Sequence, residues 1–392
     1  MTVRPRALLA AAALAAAGLL AVPAQATPVT ASYVVTLGRR VPTQPVVALT
    51  KALGGRVGFV YSRALNGFSV RLPVPALAAL RLLPGVLAVE PDQVLHIDAT
   101  KVKSQSNPPS YGLDRIDQRA LPLNDRYTYR ADGTGVTAYV IDTGITYNHV
   151  DFGGRAVKGF DAVTSGGGAV DCNGHGTHVS GTIGGATYGV AKRVRLVGVR
   201  VLDCSGSGAT SQVVAGIDWV IGNHRAGVPA VANMSLGGSP DAALDTAVRN
   251  AIADGITFGV AAGNDGGLIT DLLGASNACN GSPSDVAEAI TVAATDSSDA
   301  RASYSDVGPC VDIWAPGTNI VSDWNTSSTA TNTLSGTSMA TPHVVGTAAL
   351  YLTGHPSATP AEVAAALVSA STKGVVKNVP SATVNRLLFE AW

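Results

Sequence analysis

The chain has 392 residues, of which 46% are hydrophobic and 14% charged, enough for a sizeable core in one large domain and one small one. Its formal net charge of +0 argues against a nucleic acid or an anionic membrane surface as partner. Glycine at 44 residues against 5% aromatics points to many tight turns and close backbone approaches.

In chain order, Arg4 and Arg6 precede the apolar run Ala7 to Val22, and Pro23-Ala-Gln-Ala26 follows as an A-x-A site. This is the pattern of a secretory signal peptide over residues 1–26. The run is short for a membrane span, and no later segment is apolar enough to cross a bilayer. The mature protein is therefore expected to be secreted, soluble and extracellular, with no membrane partner.

Residues 27–98 read as a small α+β module. Tyr33–Leu37, Val57–Tyr61, Gly67–Arg71 and Val86–Glu90 alternate like strands, and Pro73 to Leu83 has helical spacing. Lys101 to Ser110 is polar with a Pro-Pro pair, as expected of a linker or a new N-terminus. From about residue 136 the pattern changes to short, nearly continuous apolar runs: Val136–Ile141, Leu196–Val201, Val231–Leu236, Thr257–Ala262 and Ala289–Ala294. Such runs suit parallel strands buried on both faces. Helical segments fall between and after them, at His175–Gly185, Ser211–His224, Asp241–Asp254 and Thr337–Leu352. This alternation predicts an α/β domain over residues 99–392, three layers about a mostly parallel sheet, with a site at the C-terminal ends of its strands.

The four cysteines, Cys172, Cys204, Cys279 and Cys310, allow three pairings. In an exported protein the two sequence-local pairings are favoured, each closing a loop of about 30 residues and contributing about 3–4 kcal/mol.

Three glycine-flanked motifs carry chemistry. Val140-Ile-Asp142-Thr-Gly144 ends an apolar strand in a carboxylate, which is costly there without a partner. Asn173-Gly-His175-Gly-Thr-His178 opens a helix on an uncrowded imidazole, able to take and return a proton near neutral pH. Ser335-Gly-Thr-Ser338-Met-Ala-Thr-Pro-His343 places a hydroxyl at the start of an apolar helix, where the dipole favours developing negative charge. The order Asp, His, Ser is one of the few known arrangements of a nucleophile, its base and the base's orienting group. An esterase would show G-x-S-x-G with the order Ser, Asp, His, and neither is present. His178 lacks the i, i+4 partner and the glutamate of a zinc-protease helix and reads as a packing residue, as do His149, His224, His343 and His355.

These motifs, the flanking Asn264 and the N-terminal module together resemble the subtilisin-like serine proteases, over nearly the whole chain. The stretches Gly112–Arg119, Tyr188–Lys192 and Asn233–Gly238 and the cysteine positions are most similar to the proteinase K branch, and within it to aqualysin-like enzymes. The resemblance implies a secreted endopeptidase with Asp142, His175 and Ser338 as its triad, working through an acyl-enzyme. The Asn264 amide and the Ser338 N–H would form the oxyanion hole. It implies that Gly206, Ser207, Gly208 and Ser235, Leu236, Gly237 sandwich an extended peptide as an added strand. Ala261, Ala262 and Gly263 would line the pocket for the P1 side chain. With small apolar lining and no acidic residue seen to attract Lys or Arg, a broad preference for apolar or aromatic P1 residues is expected.

The first module resembles the family's inhibitory I9-type propeptide, an intramolecular chaperone and inhibitor that is cut off. Self-cleavage is expected near Asp98, between Ile97 and Lys101, leaving a monomeric enzyme whose partners are its peptide substrates and its propeptide. The resemblance also implies structural calcium. Asp312 would act with the carbonyls of Ala287 and Ala289, and Asp114, Asp117 and Gln118 would form a second site, with Arg126 where the pattern has a small polar residue. A further calcium site is expected to be lost, because Val375 stands where its acidic ligand would be. Val179 replaces a cysteine found in proteinase K, so no thiol sensitivity is expected. Gly266 to Gly274 is longer than the family loop.

Overall fold

A computed structural model describes residues 29–63, 65–92, 102–266 and 276–392. The leader, the expected cleavage site and most of the lengthened 266–274 loop lie outside the described residues. The backbone forms two compact units, one ending at Ala99 and the other starting at Thr100.

The first unit runs β1 (Thr30–Leu37), α1 (Thr43–Ala52), β2 (Arg56–Tyr61), β3 (Gly67–Pro73), α2 (Leu77–Arg81) and β4 (Val86–Pro91). Its sheet has the order β2-β3-β1-β4, antiparallel throughout, a split β-α-β arrangement. Alternate residues of the strands (Val35, Leu37, Phe68, Val70, Leu72) point inward and meet Val46, Val47 and Leu80 of the helices.

The second unit opens differently from expectation. Lys103–Ser106 is not a bare linker but strand β5, paired antiparallel with β6 (Arg126–Tyr129). Its polar side chains disguise it, because the pairing is made by the backbone. Helix α3 (Tyr111–Ile116) lies between the two.

The main sheet has nine strands: β7 (Thr137–Asp142), β8 (Ala156–Asp161), β9 (Arg195–Arg200), β10 (Ala230–Met234), β11 (Ile256–Ala261), β12 (Ile290–Thr295), β13 (Ile313–Pro316), β16 (Thr372–Lys373) and β17 (Arg386–Leu387). A hairpin of β14 (Ile320–Asp323) and β15 (Thr331–Leu334) stands apart. The sheet order is β16-β17-β13-β12-β11-β10-β7-β9-β8, parallel except for β16 against β17. Both faces are covered, as parallel sheets require. In β7, Ala138 and Val140 face one core, while Tyr139 and Ile141 face the other. The first core receives α4 (His175–Gly184), α7 (Thr337–Gly354) and α8 (Pro360–Ala370). The second receives α5 (Thr210–Asn223) and α6 (Ala242–Ala253). The result is the three-layer α/β architecture of the subtilisin-like fold.

Parallel order brings the ends of β7, β10 and β11 to one edge of the sheet. Asp142 ends β7, Ser235 follows β10 and Asn264 follows β11. Disulfides join Cys172 to Cys204 and Cys279 to Cys310, the two sequence-local pairs.

Candidate active site

Asp142 is fully buried, and its charge is matched by two donors. Thr143 N–H donates to Oδ1 at 2.7 Å, and His175 Nδ1 lies 2.9 Å from Oδ1 and 3.0 Å from Oδ2. A carboxylate can only accept, so Nδ1 carries the proton and Nε2 is left with a free lone pair. His175 is the first residue of α4, whose N-cap Gly174 sits at φ 115°, a left-handed conformation that favours glycine. An added Cβ there would also strike the Trp324 ring. Burial disfavours the charged imidazole, but the Asp142 charge, its hydrogen bond and then the Asp171 charge outweigh it. The His175 pKa is raised above the ordinary histidine value.

Ser338 is the second residue of α7. Its Oγ donates to Ser235 O at 3.1 Å, and its own carbonyl accepts from Ser235 Oγ at 2.8 Å. Pro342 explains why that carbonyl is available: it stands four residues on and has no N–H for the helical bond. The Asn264 Oδ1 accepts from Thr337 N at 2.8 Å and Thr337 Oγ1 at 3.0 Å. Its amide nitrogen is thereby turned away from Thr337 as a donor beside Ser338.

Two adjoining cavities share Leu236, Gly237 and Gly238. One, about 480 Å³, is lined by Ala261, Ala262, Gly263, Asn264 and Ser338. The other, about 700 Å³, is lined by His175, Gly206, Ser207, Gly208 and Ser235. The predicted site residues at the strand ends therefore converge on one cleft. The first cavity also corrects an expectation, because Asp265 and Asp306 line it. Asp306 reaches it through the fold: its N–H donates to Gly263 O at 3.0 Å, and its Oδ1 accepts from Asp265 N–H at 3.0 Å. Gly263, at φ 116°, leaves room for that carboxylate, which a Cβ would strike. Forty-odd intervening residues hid this approach from sequence reading.

Two further histidines, His178 and His343, serve packing. His178 is fully buried with Nε2 3.0 Å from Ile320 O, and His343 is fully buried with Nδ1 2.9 Å from Met339 O. Burial pushes both down to about 4.

The subtilase family model, "Subtilase family", matches residues 133–386. The chain belongs to that family. The model "Peptidase inhibitor I9" matches residues 32–98 of this subtilase, so the first unit is an N-terminal inhibitor domain. The chain is 57% identical over 336 residues to the "Extracellular serine proteinase" of Thermus sp. (strain Rt41A), covering 86% of this subtilase and 78% of that protein. It is 51% identical to the "Alkaline serine exoprotease A" of Vibrio alginolyticus, covering 85% of this subtilase but only 60% of the Vibrio protein. A crystal structure of a cold adapted subtilisin-like serine proteinase matches with a TM-score of 0.69 at 52% identity, covering 73% of this subtilase and 100% of that chain. This subtilase is accordingly a serine proteinase, a hydrolase.

For a cation, the donor chemistry of Asp114, Asp117 and Gln118 fits. Asp117 Oδ1 and Gln118 Oε1 are buried oxygens with no hydrogen-bond partner. Burial, reinforced by the charge of Asp114, pushes Asp117 up to about 6. Both Asp114 oxygens accept N–H groups, from Asn124 at 3.2 Å and Asp125 at 2.7 Å. Asp312 Oδ2 accepts from Thr291 N at 2.9 Å, and burial pushes that carboxyl up to about 6. Among the described residues no three His, Cys, Asp or Glu side chains form a metal-binding group, so any site would draw on amide and carbonyl oxygens.

Sequence reading passed over Asp171 and Asp323. Both are buried carboxylates; Asp171 lies four residues before α4 begins, whereas only the assembled fold brings Asp323 to that helix. The D-x-x-G-H spacing at Asp171 was the one available signal.

Proposed function

We propose that this serine proteinase is a secreted endopeptidase that cuts extended polypeptides through the Asp142–His175–Ser338 triad. The observation that carries the reading is the pair of bonds from His175 Nδ1 to the buried Asp142, made at the edge of the sheet where Ser338 and Asn264 also stand. With Nδ1 protonated, Nε2 is the atom that takes the Ser338 proton as Oγ attacks the scissile carbonyl. That attack requires Oγ to leave Ser235 O, its present acceptor. Asn264 and the Ser338 N–H at the start of α7 hold the oxyanion. The imidazolium, stabilised by Asp142, gives the proton to the leaving amine. Water then attacks the acyl carbon as Nε2 takes its proton, the bond to Oγ breaks, Nε2 returns the proton to Oγ, and the acid product leaves.

The stretches Gly206–Gly208 and Ser235–Gly237 would bind substrate backbone on either side. Leu236, Ala261, Ala262 and the glycines about them favour an apolar or aromatic P1 side chain in a 480 Å³ cavity roomy enough for a ring, and the Asp265 and Asp306 carboxylates in its lining also admit a basic one. The unit of residues 27–98 would be the propeptide that assists folding, inhibits and is removed by self-cleavage near Asp98. The leader pattern over residues 1–26, the two disulfides and the extracellular Thermus relative support export. Calcium, when bound, would stiffen the structure through Asp114, Asp117 and Gln118 and through Asp312; the reaction uses no metal step. The protease is taken to act as a monomer on protein and peptide substrates.

Intact masses of secreted wild type and Ser338→Ala test this. The reading expects wild type to lose residues up to about 98 and the variant to keep them; retention by both overturns self-processing.

A further inference from the structure

Asp171 lies four residues before His175, is 6% exposed, and receives five hydrogen bonds. Its Oδ1 accepts from Thr143 Oγ1, Asn173 N–H and Gly174 N–H, each at 2.9 Å. Its Oδ2 accepts from Thr177 N–H at 2.9 Å and Thr177 Oγ1 at 2.5 Å. The donors flank His175 on both sides. Thr143 follows the triad carboxylate Asp142 directly and closes the circuit, because its Oγ1 also accepts from Gly176 N–H at 2.9 Å.

We propose that Asp171 is a positioning residue for His175: it locks the end of β7 to the first turn of α4, fixing the imidazole against Asp142, and its charge supports the imidazolium formed during the reaction. The inference rests on the reading of His175 as the general base.

The geometry separates the two parts of this role. The positional part runs through Thr143, which ties Asp171 to both ends of the Asp142–His175 pair. The electrostatic part is direct. The Asp171 charge is one of the causes that raise His175, after the Asp142 charge and the Asp142 hydrogen bond. The titratable groups facing His175 are Asp142 from β7, Asp171 from the preceding loop and His178 from its own helix. Tyr147 also faces Asp171; burial, then the Asp161 charge and then that of Asp171 raise its phenol, so it stays neutral. Asp142 raises His175 most and Asp171 adds to it. Without the Asp171 charge the imidazole protonates less readily, and the acid limb of kcat/KM moves to lower pH.

Two variants, normalised to titrated active sites, test both parts. Asp171→Asn keeps an acceptor for Thr143, Asn173 and Gly174 but removes the charge. It is expected to lower kcat by about ten- to a hundredfold with KM within about twofold, and to shift the acid limb downward. Thr143→Val keeps the charge but cuts the bridge. It is expected to lower kcat while leaving the acid limb at its wild-type position. An Asp171→Asn enzyme with an unmoved acid limb, or a Thr143→Val enzyme with wild-type kcat, overturns the proposal. Ser338→Ala serves as the reference. Retained peptidase activity there would refute the triad reading itself, whereas a silent Ser338→Ala beside an unmoved Asp171→Asn would refute the role of Asp171 alone.

Discussion

Ser338 and Ser235 exchange hydrogen bonds, each hydroxyl donating to the other's carbonyl, at 3.1 and 2.8 Å. The exchange exists because Pro342 leaves the Ser338 carbonyl without its helical donor. It ties the first turn of α7 to the segment after β10, which also lines both cavities. Ser235→Ala leaves the Ser338 carbonyl without that donor and the buried Asn233 Nδ2, which donates to Ser235 Oγ at 3.0 Å, without its acceptor, at a cost of about 1–3 kcal/mol for each group. The expected result is a lower melting temperature together with a several-fold loss of kcat, measured per titrated active site. A change in KM alone would place Ser235 only in substrate binding.

Asp323 predicts a pH dependence of stability. It is fully buried at the end of β14, and neither of its oxygens has a donor. Burial, then the neighbouring Asp151 carboxyl, pushes it up to about 8, with Arg155 opposing. His149 Nδ1 lies 3.4 Å from its Oδ1, Tyr188 faces both carboxyls, and Lys192 faces Asp151. Because the folded-state value lies above the unfolded one, the protonated form is favoured by folding. That stability is fully present below about pH 4, is lost as pH rises to about 8, and changes no further above it. Asp323→Asn donates permanently to Asp151 and removes the dependence. In full-length Ser338→Ala protein, which cannot digest itself, the melting temperature of the Asp323 parent should fall relative to Asp323→Asn across that window. Parallel curves would contradict the assignment.

Calcium removal tests the unpartnered oxygens of Asp117 and Gln118. Chelation is expected to lower the melting temperature of the Ser338→Ala protein, and added calcium to restore it, with a stabilisation that grows with calcium concentration. In Gln118→Leu the chelator-induced shift should shrink. Identical shifts in both proteins would remove Gln118 from any site.

The Cys172–Cys204 disulfide joins the loop before His175 to the Gly206–Gly208 edge, and Asn173 Nδ2 reinforces it with a bond to Cys204 O at 3.1 Å. Replacing both cysteines by serine is expected to cost about 2–4 kcal/mol of stability. It should also raise KM more than it lowers kcat, because the loosened edge is the one proposed to hold substrate backbone.

The proposed triad was legible as candidates because each member sits at an element boundary that local sequence marks. Asp142 ends an apolar run, Gly174 announces the start of a helix at His175, and Gly336 precedes the helix of Ser338. The core strands β7, β9, β10, β11 and β12 were legible as apolar runs. The two-residue strands β16 and β17 carry too little pattern to register, and polar β5 is held only by its backbone pairing. Helix α8 had a signal that went unused, the Thr359-x-x-Glu362 capping box ahead of an apolar stretch. Asp306 at the 480 Å³ cavity, and Asp323 against Asp151, meet their partners only through long-range packing. No local spacing encodes those contacts.

The most direct measurement is covalent labelling with a sulfonyl fluoride or a peptidyl phosphonate, followed by peptide mass mapping. The account predicts one equivalent bound, on Ser338 alone, with loss of peptidase activity in step with labelling. It predicts no labelling in His175→Ala, whose serine lacks its base. Stoichiometric labelling of another residue, or full activity after Ser338 is modified, would contradict it.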